Sequence, residues 1–513
     1  MSTKPASTPE KPEKLHPLHA ARRAGVPLLA IETSDPAQTI AGCIHALNDK
    51  AATTPILRWD VLRGLVGMNN PGIKLASEIA PDPLDACDPS HCLSLLASIK
   101  REQKERVVCF FMNAHRFIQQ ETVAQGLWNL RDIWKEKGST LVLLCPMLEL
   151  PGELSHDIVV VTEQLPGPEE VGAIVDSIAQ DARLKSVPDK DKVVDTLLGV
   201  SAFAAEQVLA MSIVGSAPNA EIDREELWTL KRKMVEQTPG LTVWKEQSTF
   251  DDLGGLDNIK AFLTKILTSP KNPVRCIGFV DEIEKLFAGS QGDLSGVSQD
   301  QLRVFLTEMQ DHNIPGMILV GPPGTGKSAI AKAAGGVADA EVLSIDTGAM
   351  TGSLVGESQA KIRKAFQTFH AVSQGKSLLI ATCNRLATLP PELRRRFTLG
   401  TFFIDLPDSE ERAAIWKLWL KKYSFPANSK LPEDDGWTGA EIRACCDVAY
   451  RTNMSLEDAS TFVVPVCKSA SEQIEALRKQ ADGRFIGASK PGTYRAPNQA
   501  SAPTPSGRRH LAE

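Results

Sequence analysis

The chain lacks any apolar run approaching the roughly 18 residues that a membrane-spanning helix needs. Its opening, Met1 to Pro17, is polar and proline-rich and has no hydrophobic centre of a secretory leader. No membrane partner is expected, and the expected location is cytoplasmic. An excess of one charge is also missing. The 57 Lys and Arg against 63 Asp and Glu leave a net charge of -6, so no global field draws the chain to nucleic acid or anionic lipid. Aromatics are only 5%, too few to build a stacking platform, and no basic stripe is interleaved with them, which speaks against a nucleic-acid partner. Zinc-site spacing is absent as well: Cys87 and Cys92 flank His91, but no second ligand pair follows. The ten cysteines are scattered, and several (Cys109, Cys145, Cys276, Cys383) lie inside apolar runs, as small buried hydrophobes of a reducing compartment do.

What is present is enough apolar sequence, 42% over 513 residues, for several domain cores. Apolar runs at 27–31, 107–111, 140–144 and 157–161 read as strands separated by helical patterns, the signature of a parallel sheet covered on both faces. A second such region follows. The expected layout is a disordered tail over 1–17, an α/β domain with a charged helical connector over 18–240, a second α/β core over 241–407, a helical lid over 408–487, and a disordered tail over 488–513. The two halves share landmarks. Leu150-Pro151-Gly152-Glu153-Leu154 is matched by Leu389-Pro390-Pro391-Glu392-Leu393, and Leu165-Pro166 with Glu169-Glu170 is matched by Leu406-Pro407 with Glu410-Glu411. Each landmark follows an apolar run, which points to an internal duplication.

Chemistry concentrates in the second half. Gly321-Pro322-Pro323-Gly324-Thr325-Gly326-Lys327-Ser328 satisfies G-x-x-x-x-G-K-[ST] and sits between an apolar strand, Met317–Val320, and a helix-forming run from Ala329. Glycines there let backbone N–H groups turn onto a polyphosphate at a helix N-terminus. Lys327 would reach the β- and γ-phosphates of ATP, and the Ser328 hydroxyl would ligate Mg²⁺. A second strand, Cys276–Val280, ends in Asp281-Glu282. Asp281 is placed to hold Mg²⁺ and Glu282 to polarise the attacking water. A third, Leu378–Cys383, ends in Asn384, a neutral amide suited to orienting water. Arg394-Arg395-Arg396 is too dense a cluster for burial in its own subunit. It reads either as a solvated basic face or, at Arg395 and Arg396, as a finger reaching the γ-phosphate of a neighbouring copy.

Taken together, these residues resemble the AAA+ ATPases over about 249–452, and within them an uncharacterised group from plastids, bacteria and phages. The resemblance implies a parallel-sheet P-loop NTPase core with a helical lid, preceded by a degenerate AAA-like α/β domain. It also implies a hexameric ring that spends ATP on remodelling a macromolecule, here an unidentified protein substrate. Gly254-Gly255 matches the family's segment on the adenine side of the nucleotide, Gly352–Ser358 its pore loop, and Thr438–Ile442 its second sensor, with Arg443 one residue on. Leu354 stands where threading members usually carry an aromatic. Two rivals remain: an ATP-dependent scaffold or switch doing little mechanical work, and a nucleic-acid motor or loader. The first half carries no phosphate loop, and Met112-Asn113-Ala114-His115 stands where an acidic pair would be needed, so a non-hydrolysing copy is expected there.

The order departs from the family. Asp281 precedes Lys327 by 327 − 281 = 46 residues, whereas the family places its acidic strand after the phosphate loop. The family sheet runs 5-1-4-3-2. A chain visiting it as 3, 1, 2, 4, 5, through helices near 300–312 and 359–372, would still assemble one site.

Overall fold

The structure is a computed structural model that describes residues 16–99, 106–184, 186–215, 220–244, 248–287, 297–350, 357–386 and 389–497. Its contacts separate two compact units, the first comprising 1–164 with 201–203 and the second the remainder. Among the described residues no helix is long and apolar enough to cross a membrane. Residues 1–15 and 498–513 of the expected tails, and Leu354, lie outside the described residues.

The first unit is built on a six-stranded sheet of β1 (Leu28–Glu32), β2 (Ile56–Asp60), β3 (Gly64–Gly67), β4 (Val108–Met112), β5 (Thr140–Cys145) and β6 (Val159–Thr162). The spatial order is β3-β2-β4-β5-β1-β6, parallel throughout except for the edge hairpin β2–β3. The apolar runs of β1, β4 and β5 are uninterrupted because both faces are covered, whereas β6, at the sheet edge, leaves Val159 and Val160 exposed despite its apolar run. Alternate residues enter different cores: Leu28 and Ala30 of β1 go to one, Leu29 and Ile31 to the other.

The second unit repeats that plan. Its main sheet joins β9 (Leu241–Trp244), β10 (Cys276–Val280), β11 (Gly316–Val320), β12 (Glu341–Ile345), β13 (Ser377–Cys383), β14 (Thr401–Phe403) and β15 (Ile486–Gly487); a separate ribbon pairs β7 (Ile213–Val214) with β8 (Glu221–Ile222). The spatial order is β15-β14-β11-β13-β10-β12-β9. Here too one edge strand, β9, runs antiparallel beside β12. Laid over the first sheet, β14, β11, β13, β10 and β12 take the places of β6, β1, β5, β4 and β2. In the first unit the chain visits those places in the order 1, 2, 3, 4, 5; in the second it begins at the third. The shared landmarks follow equivalent strands, β5 and β13, then β6 and β14. The crossover helices Val297–Asp311 and Glu357–Ser373 pack together on one face, where Phe305 and Phe366 meet edge to face at 5.0 Å. The helix Lys327–Ala338 packs on the other face with Asp257–Leu267.

Three expectations about organisation are corrected. Residues 165–200 and 204–240, grouped by sequence with the first domain, pack in the second unit. Val171 and Val175 of Pro168–Asp181, Val193 and Leu197 of Lys190–Leu197, and Leu227 and Val235 of Arg224–Glu236 share one apolar core with the strands. Lys231 is fully buried there, its Nζ 2.5 Å from Glu341 Oε2 at the start of β12. The lid is less separate than expected. After its helices Ser409–Lys422, Gly439–Thr452 and Ser471–Ala481, the chain returns as β15 to extend the core sheet at β14. Residues 488–497, expected to be disordered, are tied back to the second unit, by Ala488 N to Phe403 O at 3.0 Å, by Ala496 N to Asp482 Oδ1 at 3.0 Å and by Tyr494. Tyr494 packs its ring on Phe403 at 4.4 Å and donates its hydroxyl to Asp405 Oδ2 at 2.6 Å.

Candidate active site

The phosphate loop follows from the backbone that it must adopt. Gly324 (φ +80°) and Gly326 (φ +92°) occupy the left-handed region that side chains avoid. A Cβ on Gly321 would lie 2.1 Å from the Ile404 carbonyl oxygen, so a side chain is sterically excluded there. Gly326 then caps the helix Lys327–Ala338. Thr325 Oγ1 ties the loop to itself by donating to Pro322 O at 2.9 Å. Lys327 is buried, and its Nζ donates to Gly321 O at 2.9 Å and Pro322 O at 2.6 Å. Burial pushes its pKa down to about 8, against the opposing pull first of Glu284 and then of Cys383, Asp281 and Glu282. The lysine is thus a desolvated cation held inside the loop.

The sheet returns the acidic pair to this loop although it comes earlier in the chain. β13 lies between β11 and β10, so the carboxyl ends of all three meet. Asp281 Oδ1 accepts from Ser328 Oγ at 3.1 Å and from Thr382 Oγ1 at 2.5 Å. Glu282 sits at φ +49°, an unfavourable conformation for a residue with a side chain. Its N–H donates to Thr382 Oγ1 at 2.9 Å, and its Oε1 accepts from Asn384 Nδ2 at 2.7 Å. Its other oxygen, Oε2, pairs with Lys285. Asn384 also donates its backbone N–H to Glu284 Oε1 at 2.9 Å. Glu284 is buried, and its Oε2 has no hydrogen-bond partner among the described residues.

The lid touches the loop through backbone. Ala440 N donates to Gly324 O at 3.2 Å, and a Cβ on Gly324 would lie 2.8 Å from Thr438 Oγ1. Gly255 (φ +70°) is wedged against the first lid helix, where a Cβ would lie 2.7 Å from Glu411 Oε1; the following N–H, of Leu256, donates to that same oxygen at 3.0 Å. Arg443, expected on the nucleotide side, lies beside a ring of the lid. Its guanidinium lies over the Trp419 ring at 5.3 Å, because a planar cation gains more on that ring than free in solvent. Arg395 and Arg396 end the helix Pro391–Arg396 with exposed side chains.

The structure therefore brings together Gly321–Ser328, Asp281, Glu282 and Asn384, while Arg395 and Arg396 are exposed and Arg443 lies over Trp419. Sequence reasoning missed Thr382, Glu284, Lys285 and Glu411. Thr382 was detectable in one respect: on a strand it shares a face with Asn384, two residues on.

The first unit has the same backbone without the chemistry. Asn113 (φ +54°) follows β4 and opens a short 3₁₀ turn, Ala114–Arg116, as Glu282 precedes Ile283–Phe287. Met112 thereby takes the place of Asp281, and a thioether is no ligand for Mg²⁺. His115 is part of that turn, and burial lowers its pKa. Between β1 and the helix Pro36–Ala46, Thr33, Ser34 and Asp35 replace the glycine loop. Asp35 Oδ1 accepts from Gln38 N at 3.1 Å, and Thr39 Oγ1 donates to Glu163 Oε2 at 2.6 Å. Carboxylates thus stand at the helix N-terminus where a phosphate would need to bind.

Comparison with known proteins agrees with this division. Residues 15–163 match the SpoVK-like AAA ATPase N-terminal domain, and residues 317–375 match the ATPase family associated with various cellular activities (AAA). The second match begins within β11, beyond the acidic pair. The uncharacterised AAA domain-containing protein ycf46 of Guillardia theta is 23% identical over 90% of this chain and 94% of its own length. A katanin p60 ATPase-containing protein of Xenopus laevis is 29% identical over 28% of this chain and 32% of its own. The ATP-dependent zinc metalloprotease FtsH 2 of Salinibacter ruber is 30% identical over 24% of this chain and 14% of its own.

Proposed function

We propose that this chain is an AAA+ ATPase that hydrolyses ATP with Mg²⁺ as an oligomer and uses the cycle to remodel a protein partner. The observation that carries the reading is the 3.1 Å contact of Ser328 Oγ with Asp281 Oδ1, with Glu282 beside it. Two hard oxygen donors meeting at the start of the phosphate-loop helix are the donor type that Mg²⁺ takes, usually with one or two carboxylates. Bound Mg²⁺ supplies charge neutralisation at the β- and γ-phosphate oxygens.

The remaining work belongs to the chain. Loop N–H groups and Lys327 orient the polyphosphate, whose charge compensates the burial of the lysine. Asn384 Nδ2 holds Glu282 Oε1, which leaves Oε2 as the basic atom for the attacking water once Lys285 releases it. The exposed Arg395 and Arg396 supply the finger to an adjacent copy in a ring of six. A remodelling role on protein is supported by relatives whose names describe a katanin ATPase and an ATP-dependent metalloprotease.

A scaffold or switch is the second reading, and one observation favours it: both oxygens of Glu282 are already engaged, which limits basal turnover. The experiment is Glu282→Gln. It should bind ATP as the wild type does while losing about 10²-fold or more of turnover; wild-type hydrolysis by this variant overturns the assignment. Particle images with a slowly hydrolysed ATP analogue test the ring, and ATPase stimulation by candidate proteins separates remodeller from scaffold.

A further inference from the structure

The acidic pair is held by a residue to which neither the motifs nor the family reading assigns a role. Thr382 is 1% exposed on β13. Alternation along the strand places it on the face of Leu378 and Ile380, which is the face of the phosphate-loop helix. A hydroxyl has one proton to give and two lone pairs to receive with. Here it gives its proton to Asp281 Oδ1 at 2.5 Å and receives the Glu282 N–H at 2.9 Å. The first bond is charge-assisted and short, the strong kind.

The second bond has a particular job. The β10–β13 ladder ends at the pair Val280↔Ala381, so the Glu282 N–H lies beyond the last backbone partner that β13 offers. The Thr382 hydroxyl extends the register past that point and holds Glu282 in its left-handed conformation. Ser328 shares Asp281 Oδ1 with Thr382. Ser328 is the group placed to ligate metal, whereas Thr382 is sealed in the sheet and can keep its bond to Asp281 whatever Ser328 does. β13 thus sets both acids by one side chain, and two residues later sets the Glu282 carboxylate through Asn384.

We propose that Thr382 is the positioning residue of the metal-binding and catalytic acids, orienting Asp281 through its donated proton and Glu282 through its accepted one. The inference rests on the ATPase reading above. Its test compares Thr382→Val, which keeps shape and loses the hydroxyl, with Thr382→Ser, which keeps the hydroxyl, in the full chain.

Two quantities are read: the Mg²⁺ concentration giving half-maximal strengthening of fluorescent ADP binding, and kcat against KM for ATP. In Thr382→Val the Mg²⁺ midpoint should rise and kcat fall, each about 10- to 100-fold as for supporting-shell losses. ADP affinity without Mg²⁺ and KM should stay within about twofold, since loop and lysine are untouched. Thr382→Ser should recover most of both losses. An unchanged Mg²⁺ midpoint and kcat in Thr382→Val, or a serine variant as impaired as the valine, overturns the proposal. If Thr382→Val does not bind ADP without Mg²⁺, Thr382→Ala takes its place: recovery by serine supports the role, and equal loss overturns it. A wild type lacking Glu282-dependent turnover would defeat the ATPase reading instead, while the Mg²⁺ midpoint still decides the role of Thr382.

Discussion

Asn384 and Glu282 are joined at 2.7 Å by a side-chain amide donating to a carboxylate, and the same asparagine is fixed from behind by its N–H to Glu284. Asn384→Ala removes the donor and should lower turnover about 10²-fold with nucleotide affinity little changed. Asn384→Asp should be worse than alanine, because it sets a like charge against Glu282. Phosphate release at saturating ATP, compared across the two variants, checks the order; an aspartate variant faster than the alanine contradicts it.

One nucleotide per chain is expected. The second unit has its phosphate loop, while the first has Asp35 at the equivalent helix N-terminus and Met112 in the place of Asp281. Equilibrium titration with a fluorescent ADP should saturate at one equivalent, and Lys327→Ala should weaken that single event strongly. A residual site of full stoichiometry in Lys327→Ala would place binding in the first unit.

The buried pair Lys231–Glu341 anchors the helix Arg224–Glu236 to the start of β12. Breaking it with Lys231→Ala should cost about 3 kcal/mol, the lower end for a buried pair, since the Glu341 side chain keeps 18% exposure and can be rehydrated. Replacing both partners by apolar residues, Lys231→Met with Glu341→Leu, should recover most of the loss. Urea midpoints of the three proteins give the comparison.

His312 and His370 lie with ring centroids 4.3 Å apart and planes tilted by 30°, and Glu308 faces His312 at 3.3 Å. Burial, and then the charge of His312, lowers the pKa of His370 below 6.5. A lowered histidine favours the neutral form in the folded chain. Its contribution is therefore complete above pH 6.5 and is lost as pH falls through the lowered value. The fall in thermal midpoint between neutral pH and about pH 5 should be smaller in His370→Gln than in the wild type; an equal fall removes this pair as a cause.

The parts legible in the sequence were those that declare themselves locally. Uninterrupted apolar runs announced β1, β4, β5, β10, β11 and β13 because both faces of those strands are buried. The glycine loop and the Asp-Glu strand end carry their chemistry in adjacent residues, and their meeting followed from the order of a parallel sheet. β2 and β12 escaped notice because Arg58 and Ser344 interrupt their apolar runs, and β15 because it has two residues and depends on β14. Residues 165–240 could not be assigned to a unit by pattern, since an amphipathic helix shows that it has a partner but not which one. The ring beside Arg443 was unreadable for a related reason: its helical position could be read, but Trp419 lies 24 residues upstream.

The return of the chain to β15 makes the lid a segment stitched at both ends. Beyond the pairing of Phe402 with Ile486, Asn258 Nδ2 donates to Gly487 O at 2.6 Å, Ile259 N donates to Ala488 O at 3.0 Å, and Arg478 Nε donates to Asp405 Oδ1 at 2.9 Å. A protease cutting the largely exposed stretch 424–436 would therefore yield two polypeptides that copurify, held by a shared seam rather than by peptide bonds.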